Sequence, residues 1–167
     1  MRLRPWLLLL LAPLGGCDVL GQIEGFLSRP TQQEITATAL VLEGETGCPN
    51  VRVRGLAAAG AESEALSSSD CLLAGSYADF WLLRTSSTTD LELTLESEAF
   101  APYLALFPVD LQGETALVNE GVVDRNTDGD GRAHFTSRVA AGLYVAVANS
   151  VFEGDTGDYS LDVRRGN

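Results

Sequence analysis

The clearest pattern along the chain is Asp90-Leu91-Glu92-Leu93-Thr94-Leu95-Glu96, where leucines alternate strictly with polar residues. Successive side chains of a strand point to opposite faces, so this segment predicts a half-buried strand with its leucines inward. Val51-Arg52-Val53-Arg54 alternates in the same way, and Ile35 to Leu42 is rich in β-branched residues, predicting two further strands. Ala78–Arg84, Tyr103–Phe107, Thr115–Val122, Ala133–Val139, Leu143–Ala148 and Tyr159–Val163 complete the expected set. Gly, Pro, Asp, Asn and Ser punctuate the gaps, and residues 57–71 read as a loop. Short strands at regular spacing argue for an all-β domain, a single β-sandwich or jelly roll, over residues 34–167. Before it, Leu20, Ile23 and Leu27 have helical spacing up to Pro30, which predicts a short, loosely docked tether over residues 17–33.

The first residues have a different pattern. Arg2 and Arg4 precede an unbroken apolar run from Trp6 to Leu11. That run is well short of the roughly 20 residues needed to span a bilayer and suits a secretory signal over residues 1–16. It ends at Leu14-Gly15-Gly16-Cys17, which resembles the lipobox of bacterial lipoproteins. The resemblance implies cleavage before Cys17 and a lipid on its sulfur. Two or three acyl chains would give stable anchoring where one is marginal. Asp18 resembles an inner-membrane retention signal of enterobacterial lipoproteins; that rule varies between phyla, so the leaflet is left open. The expected location is the cell envelope, with the membrane as one partner.

Composition narrows the chemistry. The formal net charge is −12 over 167 residues, and the leader carries Arg2 and Arg4, so the remainder is more acidic still. Such a surface repels nucleic acid and favours cations and basic partners. Every basic side chain is arginine apart from His134, which excludes Schiff-base chemistry, a lysine base and a phosphate-loop lysine. With Cys17 lipidated, Cys48 and Cys71 form an even pair in an oxidising compartment. A disulfide between them would close a loop of about 24 residues, worth about 3 kcal/mol in the chain-entropy model.

The stretch Asp124-Arg125-Asn126-Thr127-Asp128-Gly129-Asp130-Gly131 carries the most chemistry. Oxygens at Asp124, Asn126 and Asp128, with the backbone of Asp130, match the first half of an EF-hand-type calcium loop. The second half departs: Arg132 holds the ninth position and Phe135 the twelfth, where a bidentate Glu belongs. Glu120, or the loop with Glu153, Asp155 and Asp158, would have to supply it. The competing reading is a polar hairpin turn, since Asp, Asn and Gly favour turns. His134 stands just beyond, but the sequence offers no nucleophile elbow and no glycine-rich oxyanion loop. Arg52, Arg54 and Arg84 are expected to pair with surface acids, and Arg164 and Arg165 to be solvated.

Four stretches in order resemble the bacterial pre-peptidase C-terminal domain family: Ser76-Tyr77-Ala78-Asp79-Phe80-Trp81, Phe100 to Phe107, Ala140-Ala141-Gly142-Leu143-Tyr144-Val145, and Gly157 to Val163. Ala101 stands where that family usually has Asp, and Ser87-Thr88-Thr89-Asp90 replaces its usual glycine turn. The resemblance implies a β-sandwich or jelly-roll module of the kind found on secreted bacterial proteins, some of which bind calcium. Independently of the family, Gly142 is expected to turn at positive φ, and the hydroxyls of Tyr144 and Tyr159 to reach loop carbonyls. The expected function is a non-catalytic, lipid-anchored envelope module presenting loops to a protein or a glycan. The alternatives are an accessory subunit or inhibitor of a secreted protease, and a small hydrolase using His134.

Overall fold

The structure is a computed structural model that describes residues 25–56, 58–111, 122–125 and 129–166. Its described strands are β1 (Leu27–Ser28), β2 (Val53–Gly55), β3 (Gly60–Leu66), β4 (Cys71–Leu73), β5 (Ser76–Thr85), β6 (Thr89–Glu96), β7 (Pro102–Val109), β8 (Val122–Arg125), β9 (Arg132–Val139), β10 (Gly142–Ser150) and β11 (Gly157–Arg165). One helix, α1, spans Gln32–Thr46. The first sheet has the order β1-β5-β10-β7-β8, and the second β3-β11-β6-β9. Along the outer edge of β5, three short strands lie end to end: β4 opposite residues 76–78, β2 opposite 80–82 and β1 opposite 84–85. They satisfy backbone groups that an open edge would offer to another chain.

The two sheets meet face to face. Leu91, Leu93 and Leu95 of β6 are fully buried, and their neighbours on β11, Leu161 and Val163, are buried with them. Trp81 and Leu83 of β5 and Leu104 and Leu106 of β7 close the core from the first sheet. A second apolar cluster lies on the outside of that sheet, where Leu42 of α1 covers Phe80, Ala105, Val145 and Val147. The described residues form an all-β sandwich with α1 laid on its outer side. The fold class expected from strand spacing is the one observed.

The helix replaces the strand expected over Ile35–Leu42. Its N-terminus is set by a capping box: the Thr31 hydroxyl accepts from the Glu34 N–H, and the Glu34 carboxylate accepts from the Thr31 N–H at 2.8 Å. Gly47 ends it at φ 71°. Capping can outweigh the small propensity deficit of β-branched residues. A second correction is β3, which lies within the expected loop. As an edge strand it carries small and charged residues and buries Leu66, so it lacks an apolar alternation. A third correction concerns the tether: Leu27 is buried and, with Ser28, forms the two-residue strand β1 paired with Thr85 and Arg84, so the chain is docked at that point. Gly142 does not adopt positive φ; its neighbour Tyr144 does send its hydroxyl to the Ala140 carbonyl, at 3.2 Å.

Leu73-Ala74-Gly75-Ser76 forms a tight hairpin in which Ala74 has φ 49° and Gly75 φ 95°. Two consecutive positive φ values are the mark of a type I′ turn, which favours Asn-Gly. Ala74 is exposed and carries the left-handed strain. Ala74→Asn is therefore expected to stabilise the protein by about 1 kcal/mol, read as a higher denaturant midpoint at unchanged slope.

Candidate functional site

All strands of the sandwich share two poles. The chain arrives from residue 25 at the pole where β1 meets the end of β5. At the opposite pole, β6 ends, β9 and β11 begin, and an open cleft of about 1090 Å³ lies between their loops. Glu64, Glu96, Glu98, Asp130 and Asp158 line it, against the single guanidinium of Arg132. Arg132 Nε lies 3.6 Å from Glu96, and Arg54 pairs with Glu64 at 2.5 Å. The surplus carboxylates give the cleft a negative potential.

Ser97 holds the cleft together. Its N–H donates to the Gly131 carbonyl at 2.9 Å, and its hydroxyl donates to the Asp158 carbonyl at 2.7 Å. The same oxygen accepts from the N–H groups of Ala99 and Phe100, at 3.1 and 3.3 Å. Three loops are thus joined at one residue, through its backbone N–H and its hydroxyl. Their approach is close enough to need glycine: at Gly157, φ is 141° and a Cβ would stand 2.4 Å from the Ala99 Cβ.

Beneath the cleft a polar chain ties the two sheets. Trp81 Nε1 donates to the Tyr159 hydroxyl at 2.9 Å, and that hydroxyl donates to Asp79 Oδ2 at 2.8 Å. Arg54 pairs with the other carboxylate oxygen at 2.7 Å and lies over the Trp81 ring, 5.4 Å from its centre. Asp79 is buried; desolvation pushes its carboxyl above the usual range, against the lowering effects of Tyr159 and Arg54. Burial and the neighbouring Asp79 charge push the Tyr159 hydroxyl well above its ordinary value, so it stays protonated. For Arg54, burial opposes its charge, but Asp79 and Glu64 raise it overall. The chain is a clasp between sheets, and its outer members Glu64 and Tyr159 form part of the cleft wall.

Cys48 and Cys71 are bonded, with Cα atoms 5.6 Å apart. A disulfide fits an oxidising location outside the cytoplasm. Cys17 lies outside the described residues, as do Asn126, Asp128 and Glu120. Of the expected calcium loop, Asp124 accepts the His134 N–H at 2.7 Å and Asp130 accepts the Arg132 N–H at 3.0 Å, so both fasten the start of β9. Asp155 accepts from the Ser150 hydroxyl at 2.7 Å, and Asp158 is on the cleft wall. Among the described residues no three His, Cys, Asp or Glu side chains converge on a metal position.

His134 lies on the outer face of the second sheet. Its Nδ1 is 3.0 Å from the Thr94 hydroxyl and its Nε2 is 3.9 Å from Glu92. Its own N–H is taken by Asp124, and neighbouring β6 is paired on both sides. Among the described residues the N–H groups of β6 are held in its two ladders, so none of them is an oxyanion donor beside this histidine.

No family model matches the sequence, and no curated protein matches it. The fold does have counterparts among solved structures. The pre-peptidase C-terminal domain of collagenase from Bacillus anthracis superposes with a TM-score of 0.52 at 12% identity, covering 68% of this chain and 96% of that one. The chain shares that domain's fold. A periplasmic inhibitor of g-type lysozyme from Aeromonas hydrophila is a looser likeness, with a TM-score of 0.38 at 16% identity, covering 65% of this chain and 88% of that one.

Sequence reasoning did not reach Glu64, Glu96, Ser97 or Glu98. The alternation of β6 did signal that Glu92 and Glu96 face outward. That they join Asp130 and Asp158 at one pole depends on the pairing of β6 with β9 and β11, which no local pattern encodes.

Proposed function

We propose that the chain is a non-catalytic module of the bacterial cell envelope, anchored by lipid on Cys17, whose acidic cleft takes a cationic segment of a partner protein. The observation that carries this reading is the placement of five carboxylates at the pole opposite the arriving chain, where Arg54 pairs with Glu64 and Arg132 faces the other four. A tether at one pole leaves the other directed away from the membrane. Arginine-rich or lysine-rich segments complement the charge there. A glycan is the poorer fit, because sugar recognition usually relies on exposed rings, and the ring in the cleft wall, Tyr159, is buried.

An accessory role beside a secreted protease is a second reading. It is favoured by the fold shared with a domain of a collagenase. A partner bound through the same cleft would satisfy both readings. The hydrolase reading is the weakest, given the surroundings of His134.

Calorimetry with an arginine-rich peptide tests the cleft. Binding is expected at low salt and should weaken as ionic strength rises to about 0.15 M, where the Debye length is about 8 Å. It should be lost in the combined variant Glu96→Gln, Glu98→Gln, Asp130→Asn. Heat that is absent, or that survives in the variant, would remove the cleft from the account.

A further inference from the structure

We propose that α1 is a strap over an apolar sheet face, latched by the Cys48–Cys71 disulfide and released when a dithiol reductant opens that bond. The helix is weakly built. Five of its residues are β-branched and Gly44 lies within it, composition that disfavours helix. It buries Thr38 and Leu42, and the Thr38 hydroxyl is buried without a hydrogen-bond partner. Leu40 points into solvent and is 65% exposed.

Its ends are held more firmly than its middle. Glu34 in the first turn pairs with Arg84 of β5. Just past the last turn, Cys48 is bonded to Cys71, the first residue of β4. What lies beneath is the outer face of the first sheet, where Phe80, Ala105, Val145 and Val147 are buried beside half-buried Tyr103 and Phe107. The core between the sheets is a separate cluster that does not include α1. The strap can therefore leave without opening that core.

The latch is accessible. Both cysteines are partly exposed and line a surface cleft of about 570 Å³ with Asn50, Asp70 and Leu72. A thiolate of the dithiol attacks one sulfur and displaces the other as a thiolate. Its second thiolate then attacks the mixed disulfide. The reductant leaves as its own disulfide, and the protein gains two electrons and two protons as two thiols. The C-terminal end of α1 then loses its cross-link to β4 and is held covalently only through the chain that leads into β2, so the helix lifts and the apolar face is uncovered.

Hydrogen exchange read by mass on the disulfide-bonded chain, before and after dithiothreitol, tests this. With both thiols shown free by alkylation, amide exchange across residues 32–46 is expected to rise at least about tenfold. Amides of β6, β10 and β11 should keep their protection, and reoxidation should restore the helix. The Cys48→Ser, Cys71→Ser variant should show the same split; if it does not fold, reduction in place decides. A helix that stays protected with both thiols free would overturn the proposal. So would loss of protection in every element together, or a disulfide that resists dithiothreitol in the folded protein.

Discussion

Replacing Asp79 by Ala should destabilise the protein by about 3 kcal/mol, a fall in Tm of about 10 °C for a domain of this size. The substitution removes the acceptor of the Tyr159 hydroxyl and one of the two partners of Arg54, both in a buried setting. Asp79→Asn should cost much less, about 1 kcal/mol, because it keeps the shape and one acceptor while removing a charge that burial disfavours. The pH dependence separates the two effects. The folded carboxyl titrates above its unfolded value, so between those values the native state holds the proton more tightly. Its contribution is therefore greatest at acid pH and falls as pH rises through that window. Urea midpoints measured from pH 4 to 7 should show that slope in the parent relative to Asp79→Asn, and a slope of opposite sign would contradict the assignment.

Gly157→Ala should be comparably damaging, at about 3 kcal/mol. The backbone there has φ 141°, and the new methyl would stand 2.4 Å from the Ala99 Cβ. Strain in such a region costs about 1–3 kcal/mol, and overpacking a similar amount. The two parts can be separated. Adding Ala99→Gly removes the clash and leaves the backbone term, so the double variant should recover about half the loss. Denaturant unfolding of the four proteins of the cycle gives the coupling directly. Equal losses in the single variant Gly157→Ala and the double variant would mean that the contact with Ala99 contributes nothing. Because Gly157 borders the cleft, peptide binding should weaken with the same substitution.

Much of the sandwich was legible along the chain, because strands with one buried face must alternate. Leu91, Leu93 and Leu95 announce themselves in this way, and all three are fully buried. The Cys48–Cys71 bond was legible from parity and compartment. The helix was not, since Ile35, Thr36, Thr38 and Val41 give a β-rich composition. The signal that decides it is short: Thr31 and Glu34 at capping-box spacing, with Gly47 closing the far end. The strand β3 was hidden because an edge strand with Glu62 and Glu64 carries almost no apolar pattern. Charges on an edge also discourage pairing with other chains.

The clasp illustrates what a linear pattern does not contain. Tyr159 was expected to reach a loop carbonyl; it bonds instead to Asp79 and Trp81, which precede it by 80 and 78 residues. Asp79, Trp81 and Arg54 belong to one sheet, and Tyr159 and Glu64 to the other. Their meeting follows from how the sheets stack. The cleft has the same origin: each of its acidic residues is ordinary in its own strand or loop, and their shared pole gives them a common field.

The measurement that bears most directly on the account is the mass of the N-terminal peptide from the protein isolated from bacterial membranes. A lipid-anchored module yields a peptide beginning at Cys17 and heavier by a diacylglyceryl group, with or without a further acyl chain on its new amino terminus. A membrane-free protein whose Cys17 is unmodified, or a chain still beginning at Met1, would contradict it.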